Sequence, residues 1–564
     1  MAEPLSDRIC VELARSKYCS GTEKTYLPEG CLDALVNEAT IRRELSHSLA
    51  FLRSPEKELE FIRIIAQHAK KVFATAVLTK VGGAKIYKAI NESKITDKDL
   101  PIDETHTFLK SLGKWDSHQF LIHQWKFLVP IFTEGKLMYD LEKETILPFM
   151  EVGGQQKEGT FGIVSRVKIH EAHQEYFSNL KDRLNHIAVK EMIATNAVHA
   201  SDELSLSDVS EAWKKEAMML GKLSEIKHDN VIQCIAAIDK KDKYYLLFPW
   251  ADGGSLQDFW ENVPRPPLSP KFVKGTLIQL RGLAEALKTL HDYKGGVASF
   301  REGAGADNVN SMGGGIRHGD LKPANILRFM PQDDNDIGIL KIADMGLARH
   351  HEVNTRLRGN ATTTRFGSAR YEPPEAEPPS LKPTSRLYDV WSMGCIVLEL
   401  IIWLLDGTKR LNAFNDSIQE HVQNKDPPYY EIKDSAGRGK VPRVHPLVVQ
   451  YIKRLATEPA CAANTALGDL LTVVETQLLV VKLPPSSTGV HDGSASATPV
   501  DFNEKNDGQY RASAAAFLQS LEDIISKCEH ADYLRTERGQ QRAPAIHPTS
   551  NTASSGTVDF YWNP

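Results

Sequence analysis

The chain has 564 residues, 41% hydrophobic and 25% charged, with 68 basic against 73 acidic side chains and a formal net charge of −5. That length exceeds one ordinary core and predicts roughly two to four domains, while the near-neutral balance excludes a dedicated nucleic-acid binder. The seven cysteines are scattered (Cys10, Cys19, Cys31, Cys234, Cys395, Cys461 and Cys528) and form no CxxC pair, which excludes a disulfide framework or a Cys-based zinc site and suits a reducing compartment.

Residues 1–31 carry charges throughout and no apolar run of signal-peptide length, so they are predicted to be an irregular N-terminus of an intracellular, cytoplasmic or nuclear, protein. From 32 to 145 the pattern is helical. "CLDALVNEATIRRELSHSLAFL" and "ELEFIRIIAQHAKKVFATAVL" repeat apolar residues at helical spacing, and "HQFLIHQWKFLVPIF" is interrupted at Pro130. No catalytic constellation falls here. The expectation is an α-helical accessory domain with a packing or partner-binding role, separable from the rest of the chain.

The texture changes near 147. "LPFMEVGGQQKEGTFGIVSRVKI" and "HIAVKEM" are β-branched runs punctuated by glycines, "DVSEAWKKEAMMLGKLSEI" is helical, and "YYLLFPW" is a short buried strand. Helices then dominate: "FVKGTLIQLRGLAEALKTLHDY", "LYDVWSMGCIVLELIIWLL" and "HPLVVQYIKRLAT". Strands followed by helices predict an α+β, two-lobed domain over 147–480. The run "MGCIVLELIIWLL" is too short for a membrane span and contains Glu399, so it is expected to be a buried helix. Three stretches look inserted: a Gly-rich loop at 295–315, an acidic turn at 330–338 and a linker-like segment at 484–508. A C-terminal helix (509–533) and a disordered tail (534–564) complete the layout.

Several short motifs carry chemistry. In "EGTFGIV", Gly159 and Gly162 with Val164 allow a tight strand turn whose backbone can approach phosphates. Lys190 ends the apolar strand "IAVK" and needs an acid or a phosphate; Glu216 is the natural partner. In "HGDLKPAN", Asp320 can orient or deprotonate a hydroxyl, Lys322 can hold a transferring phosphate and Asn325 can ligate a metal. Asp344 in "IADMGLA" follows a short strand and can bind Mg²⁺. Glu375 ends "GSARYEPPE", and Asp389 opens an apolar helix, where burial would require donors such as backbone N–H groups of a nearby loop. Taken singly, each motif is equally compatible with an ordinary turn, cap or surface charge.

Taken in order, "GTFGIV", "IAVK", Glu216, "HGDLKPAN", "DMG", "PPE" and Asp389 resemble the eukaryotic protein kinase domain of serine/threonine type. With "ILPF" entering the first strand, a helical N-terminal region and a "DYL" tail, the chain is also similar to kinase-domain proteins of filamentous fungi. The resemblance implies that Lys190, paired with Glu216, holds the ATP phosphates, that Asp344 and Asn325 hold Mg²⁺, and that Asp320 positions the hydroxyl of a protein Ser or Thr beside Lys322. It places Phe248 at the back of the nucleotide pocket, Pro249, Trp250 and Ala251 against adenine, and Val164, Ala188 and Leu327 around the ring.

The chain also departs from that family's pattern. Lys157 stands at the first glycine position, Met345 replaces Phe, and "PPE" replaces A-P-E. The Arg expected opposite Glu375 is absent near Ala463 and Asn464, and Gly319 stands where an Arg would clamp a phosphorylated loop. Two alternatives stay open: a pseudokinase or scaffold that binds without efficient catalysis, and a small-molecule kinase of similar shape.

Overall fold

The computed structural model describes residues 3–538 except 18–23, 47, 49–53, 153–156, 160–161, 176–185, 193–205, 242, 294–314, 331–336, 345–368, 377–384, 421–426, 436–438 and 485–509. The Gly-rich loop at 295–315, the linker-like segment and most of the tail therefore fall almost wholly outside the described residues.

The N-terminal unit comprises α1 (Leu5–Glu12), the antiparallel pair β1 (Ala14–Ser16) and β2 (Lys24–Tyr26), and helices α2 (Cys31–Leu35), α3 (Glu38–Leu45), α4 (Pro55–His68), α5 (Lys70–Leu78), α6 (Gly83–Ser93), α7 (Thr107–Lys110) and α8 (Lys114–His123). Helix α4 shows why these segments form. The Ser54 side chain accepts from Lys57 N–H, Pro55 occupies the first turn, and Phe61, Ile62 and Ile65 line one buried face. One apolar core runs from Leu5 to Phe127. The described residues before 31 are thus not irregular but form α1, β1 and β2. Leu5 and Ile9 are fully buried, so α1 is held by the core, a tertiary effect that local sequence does not announce.

Next in the chain comes a seven-stranded sheet: β3 (Met138–Asp140), β4 (Phe149–Val152), β5 (Lys157–Gly159), β6 (Gly162–Ile169), β7 (Ile187–Met192), β8 (Ala236–Asp239) and β9 (Tyr244–Pro249), with α9 (Leu206–Glu225) between β7 and β8. The strand order is β3-β8-β9-β7-β6-β4, with β5 also pairing β6. Beyond it lie α10 (Leu256–Asn262), α11 (Pro270–Asp292), the pair β10 (Ile326–Phe329) and β11 (Ile339–Ile342), α12 (Leu387–Asp406), α13 (Thr408–Glu420), the hairpin β12 (Tyr430–Ser435) and β13 (Gly439–Val444), α14 (Pro446–Leu455), α15 (Ala466–Val473) and α16 (Ala514–Lys527). This is an α+β, two-lobed architecture. Helix α12 is long and apolar enough to cross a membrane, but 94% of that window is buried inside the protein, as befits the axis of the helical lobe.

Both edges drawn for the two-lobed domain move outward. Tyr139 on β3 pairs in parallel with Ile238, and Phe132 and Tyr139 share the sheet's core with Phe149, Val167 and Leu247. At the other end α16 buries Phe517, Leu521 and Ile524 in the core of the helical lobe and packs on α11. Tertiary burial, which periodicity cannot place, sets these boundaries.

Separation of the N-terminal unit at 140 is therefore expected to fail. A chain beginning at 140 loses Phe132 and Tyr139, whose rings pack at 5.1 Å, and the Phe132 stack on Phe149 at 6.4 Å. Each buried aromatic removed costs on the order of 3 kcal/mol. The expected outcome is a poorly soluble product that melts well below the full chain, checked by thermal unfolding of both.

Candidate active site

The sheet places the first group of residues. On β6, β7 and β9 the register opposes Val164 to Lys190 and Ala188 to Phe248. Opposed residues share a face, and so do alternate residues of one strand. Val164, Ala188, Lys190 and Phe248 therefore line one face. Gly159 and Gly162 are the last pair of the β5–β6 ladder, and Lys157 lies opposite Val164 within it. After Phe248 and Pro249, the Trp250 N–H donates to the His186 carbonyl (3.4 Å). Gly253 N–H donates to Arg328 O (3.0 Å) and Arg328 N–H to Gly254 O (2.8 Å), with Ser255 bridged to Leu327. The segment through Ala251 is thereby sewn to β10, which carries Leu327.

Lys190 is the electrostatic centre. Its Nζ donates to Glu216 Oε1 at 3.0 Å and to Asp344 Oδ1 at 2.9 Å, joining β7, α9 and the end of β11. Burial opposes the charge on Lys190, yet Asp344 and Glu216 together outweigh it and hold the ammonium above the usual lysine range. The two acids share this cation unequally. Burial and the like charge of Asp344 push Glu216 up despite Lys190. Burial also pushes on Asp344, but the charge and hydrogen bond of Lys190, with help from Lys322, hold its carboxyl below the ordinary value. The side chains differ accordingly, 3% exposed for Glu216 and 31% for Asp344. Asp344 also adopts φ 62°, a left-handed conformation that L residues avoid and that clusters at functional sites.

The second group sits in the segment before β10. Lys322 Nζ donates to Asp320 Oδ2 (2.9 Å), and Asn325 Nδ2 donates to Asp320 O (2.8 Å) and Oδ2 (3.1 Å). Ala343 N–H donates to Asn325 O (2.9 Å), which brings Asp344 one residue from the Asn325 backbone. The loop is anchored from below by Asp389, which is fully buried on α12. Its Oδ2 accepts from His318 N–H (2.9 Å) and His291 Nε2 (2.9 Å), and its Oδ1 from Gly319 N–H (2.8 Å). These are the backbone donors that the sequence demanded. Burial pushes the Asp389 carboxyl up, but the bond and charge of His291 and the Gly319 N–H hold it below the ordinary range. Gly319 has φ 78°, where a side chain would cost on the order of 1 kcal/mol, so its lack of a Cβ suits the turn.

Three contributors are not legible in the local sequence. His291 is the side-chain donor to Asp389. His318, fully buried, donates from Nε2 to Ala343 O (2.9 Å) and accepts Asp320 N–H at Nδ1 (3.2 Å), coupling the loop to the strand end before Asp344. The third is Arg511, which corrects the expectation that Glu375 lacks an Arg partner. Its Nη1 and Nη2 grip the two Glu375 oxygens (2.5 and 3.0 Å), Nε donates to Val480 O (2.8 Å), and Nη1 donates to Leu387 O (3.1 Å). The guanidinium stacks over Trp391 at 5.0 Å. Rather than lying near 463, this Arg comes after the segment 485–509, just before α16 and its N-cap Ser513. An Arg entering an amphipathic, Ser-capped helix is the signal that the sequence offers for it.

A family model for the protein kinase domain matches residues 158–437. The chain carries a protein kinase domain of the eukaryotic type. Over 242 residues the chain is 26% identical to a calcium/calmodulin-dependent protein kinase type 1 of Caenorhabditis elegans, covering 43% of the chain and 58% of that relative. It is 27% identical over 218 residues to the mitogen-activated protein kinase kinase kinase 1a of Physcomitrium patens, covering 38% of the chain and 24% of the relative. To the cyclin-dependent kinase 2 of C. elegans it is 29% identical over 180 residues, 32% of the chain and 39% of the relative. The chain thus spans less than two thirds of the length of these curated relatives. They come from a nematode and a moss, and give the narrower likeness to filamentous-fungal proteins no support.

Beneath the kinase domain's "GSARYEPPE" segment lies a buried carboxyl with a pH consequence. Glu399, 1% exposed on α12, accepts from Tyr371 OH (2.9 Å) and Tyr429 OH (2.9 Å). Burial raises its pKa from 4.5 to about 7 against the lowering influence of Arg370 and both tyrosines. Between those values the native state keeps a proton that the unfolded chain has lost. Stability therefore falls as pH rises through this window, by on the order of 3 kcal/mol. Glu399→Gln is expected to remove that slope, measured as unfolding free energy in urea at mildly acidic and mildly alkaline pH for both proteins.

Proposed function

We propose that the chain is an ATP- and Mg²⁺-dependent protein kinase that transfers the γ-phosphate to Ser or Thr hydroxyls of proteins. The observation that carries this reading is the bridge from Lys190 to both Glu216 and Asp344, beside the Asp320–Lys322–Asn325 cluster. Phosphoryl transfer asks a protein mainly for positioning and charge neutralisation, and these residues supply both. Lys190 would hold the α- and β-phosphates. The sheet face of Val164, Ala188 and Phe248, with Leu327 opposite and Pro249, Trp250 and Ala251 at the edge, would receive the adenine, and Gly159 and Gly162 would let backbone N–H groups approach the phosphates.

The donor set suits Mg²⁺, which takes one or two carboxylates completed by phosphate oxygens. Asp344 offers a carboxylate held ionised, and Asn325, with its amide N–H groups given to Asp320, keeps its amide oxygen as an acceptor. Bound there, the cation would neutralise charge on the phosphates. Asp320 would orient the acceptor hydroxyl and receive its proton as the new O–P bond forms and the bond to the ADP oxygen breaks. Lys322 would accompany the transferring group.

Thermal unfolding with ATP, with and without Mg²⁺, tests the reading first. A rise in melting temperature that depends on both supports it, and no shift under either condition contradicts it. Gly319 adds a regulatory expectation. Without a cation at that position an unphosphorylated loop leaves no charge unpaired there, so loop phosphate is not needed to settle it. Replacing Thr362, Thr363 and Thr364 by Ala should reduce turnover less than about tenfold, roughly 1.4 kcal/mol of barrier. Assays of the triple variant and of phosphatase-treated wild type check this; those threonines lie outside the described residues.

A further inference from the structure

The N-terminal unit grips the kinase domain at a telling place. Strands β4 and β5 both pair with β6, making a hairpin whose last described pair is Gly159 with Gly162. Its base is formed by Leu147–Phe149 on one strand and by Ile169–His173 on the other, tied by His170 N–H to Pro148 O (2.9 Å). Both sides of that base are held by the helical unit.

On the first side β4 is the last strand of the sheet and would present an open edge. The β1–β2 pair covers it. Lys17 N–H donates to Phe149 O (2.9 Å), and Ser16 Oγ, on a fully buried residue, donates to Leu147 O (2.7 Å). On the second side, Glu29 N–H donates to His173 Nε2 (3.1 Å) while His173 Nδ1 donates to Pro130 O (3.0 Å). Tyr26 packs edge-on against His173 (5.4 Å) and His170 (6.1 Å). The bond from Glu29 requires Nε2 to be unprotonated. Burial keeps the ring in that neutral form by lowering its pKa to about 4.

We propose that the N-terminal helical unit is an intramolecular positioning element for nucleotide binding, fixing the base of this hairpin through Ser16 and the Tyr26–Glu29 segment so that the Gly159–Gly162 pair is held beside the phosphates. This rests on the kinase reading of the site. A hairpin anchored at one strand can rock about that strand, whereas one anchored at both can only flex at its tip. Such a device suits a loop in which Lys157 stands in place of a glycine. Ser16 and His173 are positioning residues; neither touches the nucleotide.

The test uses the full chain as Ser16→Ala, Ser16→Thr and His173→Phe. Amide hydrogen exchange is read over residues 162–169, and the KM for ATP is measured separately from kcat. Losing one buried anchor should speed exchange there and raise the KM for ATP roughly fivefold, with kcat within about twofold because no catalytic group is touched. Ser16→Thr, which keeps the hydroxyl, should restore both. A lowered melting temperature with unchanged exchange and unchanged KM in Ser16→Ala and His173→Phe would overturn the proposal, leaving only a structural contact. The exchange measurement needs no turnover. If the wild type transfers no phosphate the kinase reading fails, while the exchange data still decide whether the helical unit anchors the hairpin.

Discussion

Lys190→Met is expected to abolish phosphoryl transfer, by roughly a thousandfold or more, with the fold retained. The methionine stem fills the space of the lysine stem, so packing on β7 is preserved. What disappears is the cation that Glu216 and Asp344 share. Glu216, already raised by burial and by the like charge of Asp344, then has nothing to keep it ionised and takes up a proton. Proton uptake spares the variant an uncompensated buried charge and keeps its melting temperature close to that of the wild type. Asp344→Asn should lose activity comparably, for the complementary reason: the carboxylate held ionised beside Lys190 is gone. Initial rates with saturating ATP and Mg²⁺, alongside thermal melts, check both. Near-wild-type transfer by either variant would show the site assignment to be wrong.

Arg511→Ala carries the largest expected loss of stability among the single substitutions. The Arg511 side chain is fully buried and satisfies Glu375, Val480 O and Leu387 O while stacking on Trp391. Truncation strands the Glu375 carboxylate, which is only 19% exposed, along with two carbonyls. Removing one partner of such a pair costs on the order of 3 kcal/mol. Arg511→Lys should recover only part of this, because an ammonium cannot reproduce the two-pronged grip. Glu375→Gln, which keeps the shape and one acceptor, should be milder than Arg511→Ala. Urea unfolding of the three variants gives that order if the pair matters as described. Equal stabilities would show that it does not.

The candidate site residues were legible as a group because they come in short strings. Asp320, Lys322 and Asn325 lie within six residues, and the segment 318–325 needs only a local turn to bring them together. Lys190 and Glu216 were legible as a pair because a lysine ending an apolar strand must meet an acid, and α9 presents one on its buried side. What the sequence hid was long-range. Arg511 is 136 positions from Glu375, beyond the 485–509 segment. His291 is 98 positions from Asp389. The helical unit looked separable because its own core is complete from Leu5 to Phe127. Its attachment runs through polar and ring contacts, such as Lys17 N–H to Phe149 O and Ser16 Oγ to Leu147 O, and these leave no trace in hydrophobic periodicity.

The activity proposed for this site is transfer of phosphate from ATP to protein hydroxyls. The most direct measurement is transfer of labelled γ-phosphate from ATP to a generic basic protein, with the full chain, its Asp320→Asn variant and a magnesium-free control. The expected result is label on Ser or Thr with the wild type, loss of roughly a hundredfold or more with Asp320→Asn, and none without Mg²⁺. Equal labelling by wild type and Asp320→Asn, or nucleotide-dependent stabilisation with no labelling at all, would contradict it.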